Sequence, residues 1–115
     1  MTLCSKHDRP WAAVLLIALA AGACDAEPAR VASAPLDPPL ARTYQAVCAE
    51  CHARPGIGAP LTGVDADWRE RRPKGMDALL ESTVAGYRGM PPLGECGRCS
   101  VDDFRKLIAY MAGSP

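Results

Sequence analysis

Five consecutive residues constrain this chain more than any other feature: Cys48, Ala49, Glu50, Cys51 and His52. They form the pattern C-x-x-C-H, which is the attachment signature of a c-type haem. Two thiols at this spacing reach the two vinyl groups on one edge of a porphyrin, and the adjacent imidazole meets the iron from one face. The pentapeptide therefore predicts a haem that is joined to the chain by two thioether bonds.

Two other interpretations of these cysteines are open at this point. A C-x-x-C pair also serves as a dithiol redox centre, and with Cys96 and Cys99 it can supply the ligands of a zinc site. Thioredoxin-like motifs normally stand next to a strand in a βαβ pattern, which this sequence lacks. A zinc site would explain neither His52 nor the small core. The core is expected to be small because Phe104 is the only phenylalanine in the chain. A haem supplies the interior that so small a domain needs.

The N-terminal region has the pattern of an export signal. Lys6 and Arg9 precede an uncharged run of 13 residues from Trp11 to Ala23. A membrane-spanning helix needs roughly 20 apolar residues, whereas the core of a signal peptide needs about 7–15. We therefore predict that residues 1–23 are a signal peptide and that the protein works in the periplasm.

The end of this run has two interpretations. Ala21-Gly22-Ala23-Cys24 resembles the bacterial lipobox, in which the cysteine becomes the lipidated first residue, although Ala21 stands where leucine is usual. Ala21-x-Ala23 also fits ordinary signal-peptide cleavage, which gives a soluble secreted protein. Lipidation of Cys24 is favoured because the other mature cysteines have plausible partners, and an exposed free thiol is a liability in an oxidising compartment.

The mature region divides into a tether and one domain. Residues 24–38 are rich in Ala and Pro and lack apolar periodicity, which predicts a flexible tether. Residues 39–115 form the domain, and its first helix is introduced by Asp37 as N-cap and Pro38 at the first helical position. Apolar residues then recur at helical spacing up to His52, after which an Arg-Pro-Gly sequence ends the helix.

Two further helices are predicted after a long loop over Pro55–Gly75. The second helix occupies Gly75–Gly86 and the last begins at Ser100, with Asp103 completing a short-armed capping box. The apolar side of the second helix comprises Met76, Leu79, Leu80 and Val84. The apolar stripe of the last helix comprises Val101, Phe104, Leu107, Ile108 and Met111. Since no segment alternates apolar and polar residues, the predicted fold class is all-α.

A second axial ligand is sought among the methionines, because His7 lies in the signal segment and leaves His52 as the only mature histidine. Met76 and Met111 fall on apolar helix faces, where core packing is the usual role of methionine. Met90 lies in the sequence Gly-Met-Pro-Pro, whose prolines restrict the backbone and bias it away from helix. A stiff loop suits an iron ligand on the far haem face, and ordinary core packing of Met90 is the alternative.

Taken in order, these motifs resemble the cytochrome c5 group of class I cytochromes c. The matching positions are Tyr44, Cys48-x-x-Cys51-His52, Gly56-x-Gly58-Ala59-Pro60, Trp68, Gly75-Met76, Gly89-Met90-Pro91-Pro92, Cys96-x-x-Cys99-Ser100 and Tyr110-Met111. The resemblance implies a cytochrome c fold, with three main helices and long loops wrapped around one covalently attached haem. The N- and C-terminal helices are expected to cross.

The resemblance also implies roles for single residues. His52 is expected to be the proximal iron ligand and Met90 the distal one. The carbonyl of Pro60 is expected to accept a hydrogen bond from the His52 ring. Cys96 and Cys99 are expected to form a small disulfide beside the haem, and a catalytic dithiol at these two positions stays open as the alternative.

Trp68 and Arg72 are candidates for contact with the anionic haem propionates. An arginine fork pairs well with a carboxylate, and the Trp68 indole can donate its N–H. The alternative for Arg72 is a solvated surface position, and for Trp68 simple packing.

Three functions are consistent with these features. The favoured one is a one-electron carrier that docks transiently with respiratory reductases or oxidases, as a monomer or a haem-edge homodimer. A lipid at Cys24 would hold this carrier on a membrane surface. The others are a sensor or peroxidase-like haem protein with a labile sixth ligand, and a thiol oxidoreductase that uses Cys96 and Cys99. With 13 basic and 13 acidic residues the chain has no net charge, so a nucleic-acid partner is not expected.

Overall fold

A computed structural model describes residues 26–113. The predicted signal peptide and Cys24 lie outside these described residues. Within residues 26–113, no helix is both long enough and apolar enough to cross a membrane.

The described part of the chain is helical. Its α-helices are α1 (Pro38–Thr43), α2 (Ala49–His52), α3 (Asp65–Trp68), α4 (Met76–Ala85) and α5 (Val101–Ala112). A π-helical turn (Tyr44–Cys48) joins α1 to α2, and 3-10 turns occupy Arg72–Lys74 and Pro92–Glu95. Residues 26–113 contain two isolated β-bridges but no strand. The predicted all-α fold class is confirmed.

The first helical segment begins and ends where the sequence predicts. The Asp37 carboxylate accepts a hydrogen bond from the Leu40 amide at 2.9 Å, and Pro38 occupies the first helical position. The segment then runs without a break through the π turn to His52. The Asp37 cap explains why α1 begins here, since its carboxylate accepts from an amide that has no partner within the helix.

The core lies between this segment, α4 and α5. Its buried members are Leu40, Tyr44, Trp68, Leu79, Cys96, Phe104, Leu107, Ile108, Met111 and Ala112. The rings of Tyr44 and Tyr110 meet edge to face, with centroids 5.0 Å apart, and so join the first segment to α5. The predicted stripe of α5 is buried except for Val101, which is 57% exposed because it lies in the first turn beyond the core.

Part of the predicted flexible tether is docked. The Val31 amide donates to the Gly63 carbonyl at 2.8 Å, and the Asp65 amide donates to the Ala29 carbonyl at 2.8 Å. Gly113 allows this approach, because a Cβ there would lie 3.0 Å from the Cβ of Val31. The prediction of a free tether over residues 24–38 is therefore wrong for residues 29–31. Backbone hydrogen bonds to a distant loop produce no periodic pattern in a sequence.

The long loop between residues 55 and 75 is also more ordered than predicted. It contains α3 and a 3-10 turn. The Arg72 side chain joins the two by donating to the Asp65 carboxylate, and this hydrogen bond lowers the pKa of Asp65 below its usual range. A helix of four residues is too short for apolar periodicity to reveal, and side-chain contacts hold it in place.

Candidate haem site

The two cysteines of the pentapeptide lie at the junction of the π turn and α2. Both thiols are free, with Cys48 half-buried and Cys51 exposed. Burial raises the pKa of the Cys48 thiol to about 11. A redox-active cysteine needs a lowered pKa, because its thiolate is the reactive form. The shift at Cys48 is opposite in direction to the activation that a nucleophilic cysteine needs.

The zinc interpretation is not supported. Among residues 26–113, no group of three or more His, Cys, Asp or Glu side chains is arranged to hold a metal ion. Cys96 and Cys99, which a zinc site would need, are joined by a disulfide with their Cα atoms 5.4 Å apart. Their sulfur atoms are bonded to each other and are not available as thiolate ligands.

His52 closes α2 and is only 7% exposed. Its Nδ1 lies 2.8 Å from the Pro60 carbonyl oxygen. Because a carbonyl oxygen can only accept, Nδ1 carries the proton and Nε2 is left as the nitrogen that can bind a metal. Histidine ligands usually donate their second N–H to a carbonyl or carboxylate in this way. The hydrogen bond to Pro60 that the resemblance implies is present.

The segment that carries this carbonyl is fixed by α3. The Leu61 amide donates to the Asp67 carboxylate at 2.8 Å, and the Trp68 indole N–H donates to the Leu61 carbonyl at 2.8 Å. The Thr62 amide donates to the His52 carbonyl at 2.7 Å. The Trp68 ring also stacks on the imidazole, with centroids 6.2 Å apart and an interplanar angle of 23°. Neighbouring side chains of α3 thus hold both polar groups of one loop residue.

Trp68 and Arg72, the predicted propionate contacts, have partners within the protein, and their contact with a propionate stays a prediction. The Trp68 side chain is buried, and its only N–H is donated to Leu61. Arg72 donates to the Asp65 carboxylate and, at 3.1 Å, to the Ala112 carbonyl at the end of α5. Both residues therefore satisfy partners within the protein, and Arg72 links α3 to α5.

Met90 lies half-buried in the loop that follows α4. A pair of backbone hydrogen bonds with Tyr87, at 2.9 and 3.0 Å, closes the turn around it. Two glycines leave room for it. At Gly86 a Cβ would lie 3.1 Å from the Met90 carbonyl oxygen, and at Gly94 it would lie 3.3 Å from the Met90 methyl carbon. The loop is thus closely fitted to both ends of this residue.

The same loop continues through a strained stretch to the disulfide. Leu93 and Glu95 have φ values of 61° and 64°. These values lie in the left-handed region, which residues other than glycine rarely adopt. Such conformations persist where the surrounding structure imposes them. Here the Cys96 amide donates to the Leu93 carbonyl at 2.9 Å, and Cys96 is buried and bonded to Cys99. The disulfide therefore restrains the end of the Met90 loop.

The other two methionines of the described region pack as predicted. Met111 is buried in the core and Met76 is half-buried against it. The donor set that remains suits a haem c. It comprises two free thiols three positions apart, an imidazole with one nitrogen fixed and one available, and a thioether in a glycine-lined loop.

Comparison with known proteins gives the same result. The family model described as cytochrome c oxidase, cbb3-type, subunit III matches residues 37–111. Cytochrome c5 of Ectopseudomonas mendocina is 40% identical over 68 residues, which cover 57% of this chain and 78% of that protein. A mono-haem ferrocytochrome c from Shewanella putrefaciens superposes with a TM-score of 0.60 at 34% identity, covering 71% of this chain and 100% of that one.

A third similar structure is a chain from an electron transfer complex of nitrite reductase with cytochrome c. It has a TM-score of 0.60 at 33% identity and covers 68% of this chain and 95% of its own length. The region matched by the family model contains the pentapeptide and the Met90 loop. The chain belongs to the cytochrome c family as a class I, c5-like mono-haem cytochrome c, an electron-transfer protein and not an enzyme, with one covalently attached haem c.

Proposed function

We propose that Cys48 and Cys51 form the thioether bonds to the haem and that His52 and Met90 are its two axial ligands. When bound, the haem supplies a one-electron iron couple. The observation that carries this proposal is the 2.8 Å hydrogen bond from His52 Nδ1 to Pro60, which orients the imidazole and leaves Nε2 available. The glycine-lined loop supports the assignment of Met90.

These residues suit a carrier that binds no substrate at iron. With both His52 and Met90 bound to the iron, no position would be left for an external ligand. The thioether sulfur of Met90 is a soft donor that favours reduced iron, so the His52–Met90 pair raises the reduction potential relative to other axial pairs. Cys96–Cys99 encloses only a short loop and adds little entropic stabilisation. We assign it the task of shaping the loop that presents Met90.

We further propose that the protein passes single electrons between respiratory partners through brief encounters. The similar cytochrome c chain in complex with nitrite reductase supports docking of this kind. Redox encounters bury small interfaces, which lets the partners separate quickly. An exposed edge of the bound haem would serve the donor and the acceptor in turn.

The test of this function uses the holoprotein as exported. A potentiometric titration should follow a one-electron curve, and the reduced protein should show no rapid spectral change when mixed with carbon monoxide at neutral pH. A fast and complete carbon monoxide reaction would contradict the proposal. It would favour a sensor or peroxidase-like protein with a labile sixth ligand.

The N-terminal predictions lead to a proposed location. Export directed by residues 1–23 and lipidation of Cys24 would hold the domain at the periplasmic face of a membrane. The first docked residue, Ala29, is five positions from Cys24. At up to about 3.6 Å per residue, this segment spans at most about 18 Å. The anchor would therefore keep the carrier close to membrane-bound partners and raise its effective concentration there.

Cys24→Ser is expected to release the protein from membranes. Loss of the acylated residue removes the apolar chains that provide stable anchoring. We expect most of the wild-type haem protein in the membrane fraction and most of the variant in the soluble periplasmic fraction, measured by haem staining. Ser33→Ala, a change in the same N-terminal region, should leave the distribution as in the wild type. An unchanged distribution for Cys24→Ser would show that the protein is not lipidated.

A further inference from the structure

One peptide group separates the His52 imidazole from a carboxylate. The carbonyl of the Pro60–Leu61 peptide accepts from His52 Nδ1 at 2.8 Å, and the N–H of the same peptide donates to Asp67 Oδ2 at 2.8 Å. The two hydrogen bonds use opposite ends of one amide. They form a continuous chain from the imidazole through the peptide to the charged side chain.

Such a chain of hydrogen bonds transmits the polarising effect of the carboxylate to the imidazole. A hydrogen bond to a carboxylate is stronger than one between neutral groups, and hydrogen bonds in series polarise one another. Binding of the Leu61 N–H by the Asp67 carboxylate shifts electron density onto the Pro60 carbonyl oxygen. That oxygen then draws more strongly on the His52 Nδ1 proton, and the imidazole becomes a stronger donor at Nε2. Hydrogen bonds to a ligating histidine raise its basicity in this way.

The arrangement is held rigidly by its neighbours. The Trp68 indole binds the Leu61 carbonyl, so the peptide groups on both sides of Leu61 are anchored to α3. The nearby Arg71 guanidinium donates to the backbone carbonyl of Asp67. The short helix α3 therefore presents two adjacent side chains, Asp67 and Trp68, to one loop residue.

We propose that Asp67 is a positioning residue that sets the donor strength of His52 through the Pro60–Leu61 peptide and thereby lowers the reduction potential. The inference rests on the proposed role of His52 as the proximal ligand. Oxidised iron carries one more positive charge than reduced iron, so a stronger imidazole donor favours the oxidised form. Asp67 would thus act in the opposite direction to the Met90 sulfur.

Asp67→Asn tests this with little change in shape, since the amide keeps an oxygen that can accept from Leu61. We expect the equilibrium constant to shift at least threefold toward the reduced form. At 59 mV per tenfold change, this is a rise of about 30 mV in the reduction potential. We also expect the His52 Nδ1 proton of the reduced holoprotein to move upfield in its NMR spectrum, because its hydrogen bond weakens. A purely structural role would change the thermal midpoint and leave that proton signal in place.

Glu70→Gln is the matched control. Glu70 is an exposed acid three positions further along, and its replacement removes the same charge without touching Leu61. The equilibrium constant between the reduced and oxidised forms should change by less than 1.3-fold. The NMR signal of the His52 Nδ1 proton should not move. Equal effects of the two substitutions would overturn the proposal, because they would show a general field and not a path through the peptide. An unchanged potential in Asp67→Asn would overturn it as well.

Wild-type protein supplies an independent check that does not depend on the stability of a variant. In the reduced holoprotein the Leu61 amide proton should resonate downfield and exchange slowly, as expected for a bond to a carboxylate. A fast-exchanging Leu61 amide would overturn the inference. Absence of any ligated-imidazole Nδ1 signal would instead overturn the ligand assignment, and the two failures are therefore distinguishable.

Discussion

Met90→Ala protein will keep its haem and become reactive with external ligands. The thioether bonds at Cys48 and Cys51 do not depend on Met90, so the cofactor stays attached. Without the sulfur the iron becomes high-spin and its sixth position opens. If Met90 occupies that position about 99% of the time, its removal increases the apparent affinity for carbon monoxide about 100-fold. Absorption spectra of the oxidised protein and carbon monoxide titration of the reduced protein measure both effects.

Met76→Ala is the control for this prediction. Met76 is also half-buried, but it packs against the core from α4. Its truncation should reduce the free energy of unfolding by about 2 kcal/mol, at the low end for a buried methionine, and leave the spectrum low-spin. If Met76→Ala opens the iron and Met90→Ala does not, the distal ligand has been assigned to the wrong residue.

His52→Ala is expected to prevent accumulation of stable holoprotein. The imidazole is fixed by Pro60 and stacked by Trp68, so it joins α2 to the loop that follows. Ligand binding and folding are linked when the site exists only in the folded state. We expect at least a tenfold loss of haem-containing protein in periplasmic extracts, measured by haem staining, together with loss of helical circular dichroism.

Gln45→Ala provides the comparison for this substitution. Gln45 is exposed in the π turn of the same helical segment, and its truncation should leave the yield of holoprotein near the wild-type level. Recovery of a well-folded, haem-free His52→Ala protein would show that the domain does not depend on the ligated cofactor.

The chemistry of the site is predictable because most of it is contiguous. Two cysteines and a histidine within five residues define an attachment site without knowledge of the fold. The start of α1 is likewise local, since Asp37 and Pro38 supply a cap and a first helical residue. The same holds for α5, where Ser100 and Asp103 bind each other as a capping box.

Contacts between distant residues were not predictable in the same way. Trp68 and Arg72 carry groups that can bind a propionate, and only the structure shows that Leu61, Asp65 and Ala112 occupy them. Asp67 was missed as a site residue because a carboxylate that binds an amide six positions earlier leaves no periodic signature. Its position beside Trp68 was the one available indication.

The Met90 loop combines a feature that the sequence indicates with one that it does not. The Gly-Met-Pro-Pro sequence indicates a stiff turn, and the structure places Met90 between Gly86 and Gly94. The left-handed conformations of Leu93 and Glu95 are not indicated by either residue type. They follow from how the chain must run between the turn and the disulfide.

Covalent attachment of the haem is measured by the intact mass of the exported protein, combined with peptide mapping of Cys48 and Cys51. We predict a polypeptide heavier by one haem that resists acid extraction, with both sulfurs in thioether linkage and one haem per chain by pyridine haemochrome. A colourless product with free thiols at these two positions would show that the protein is not a haem c protein.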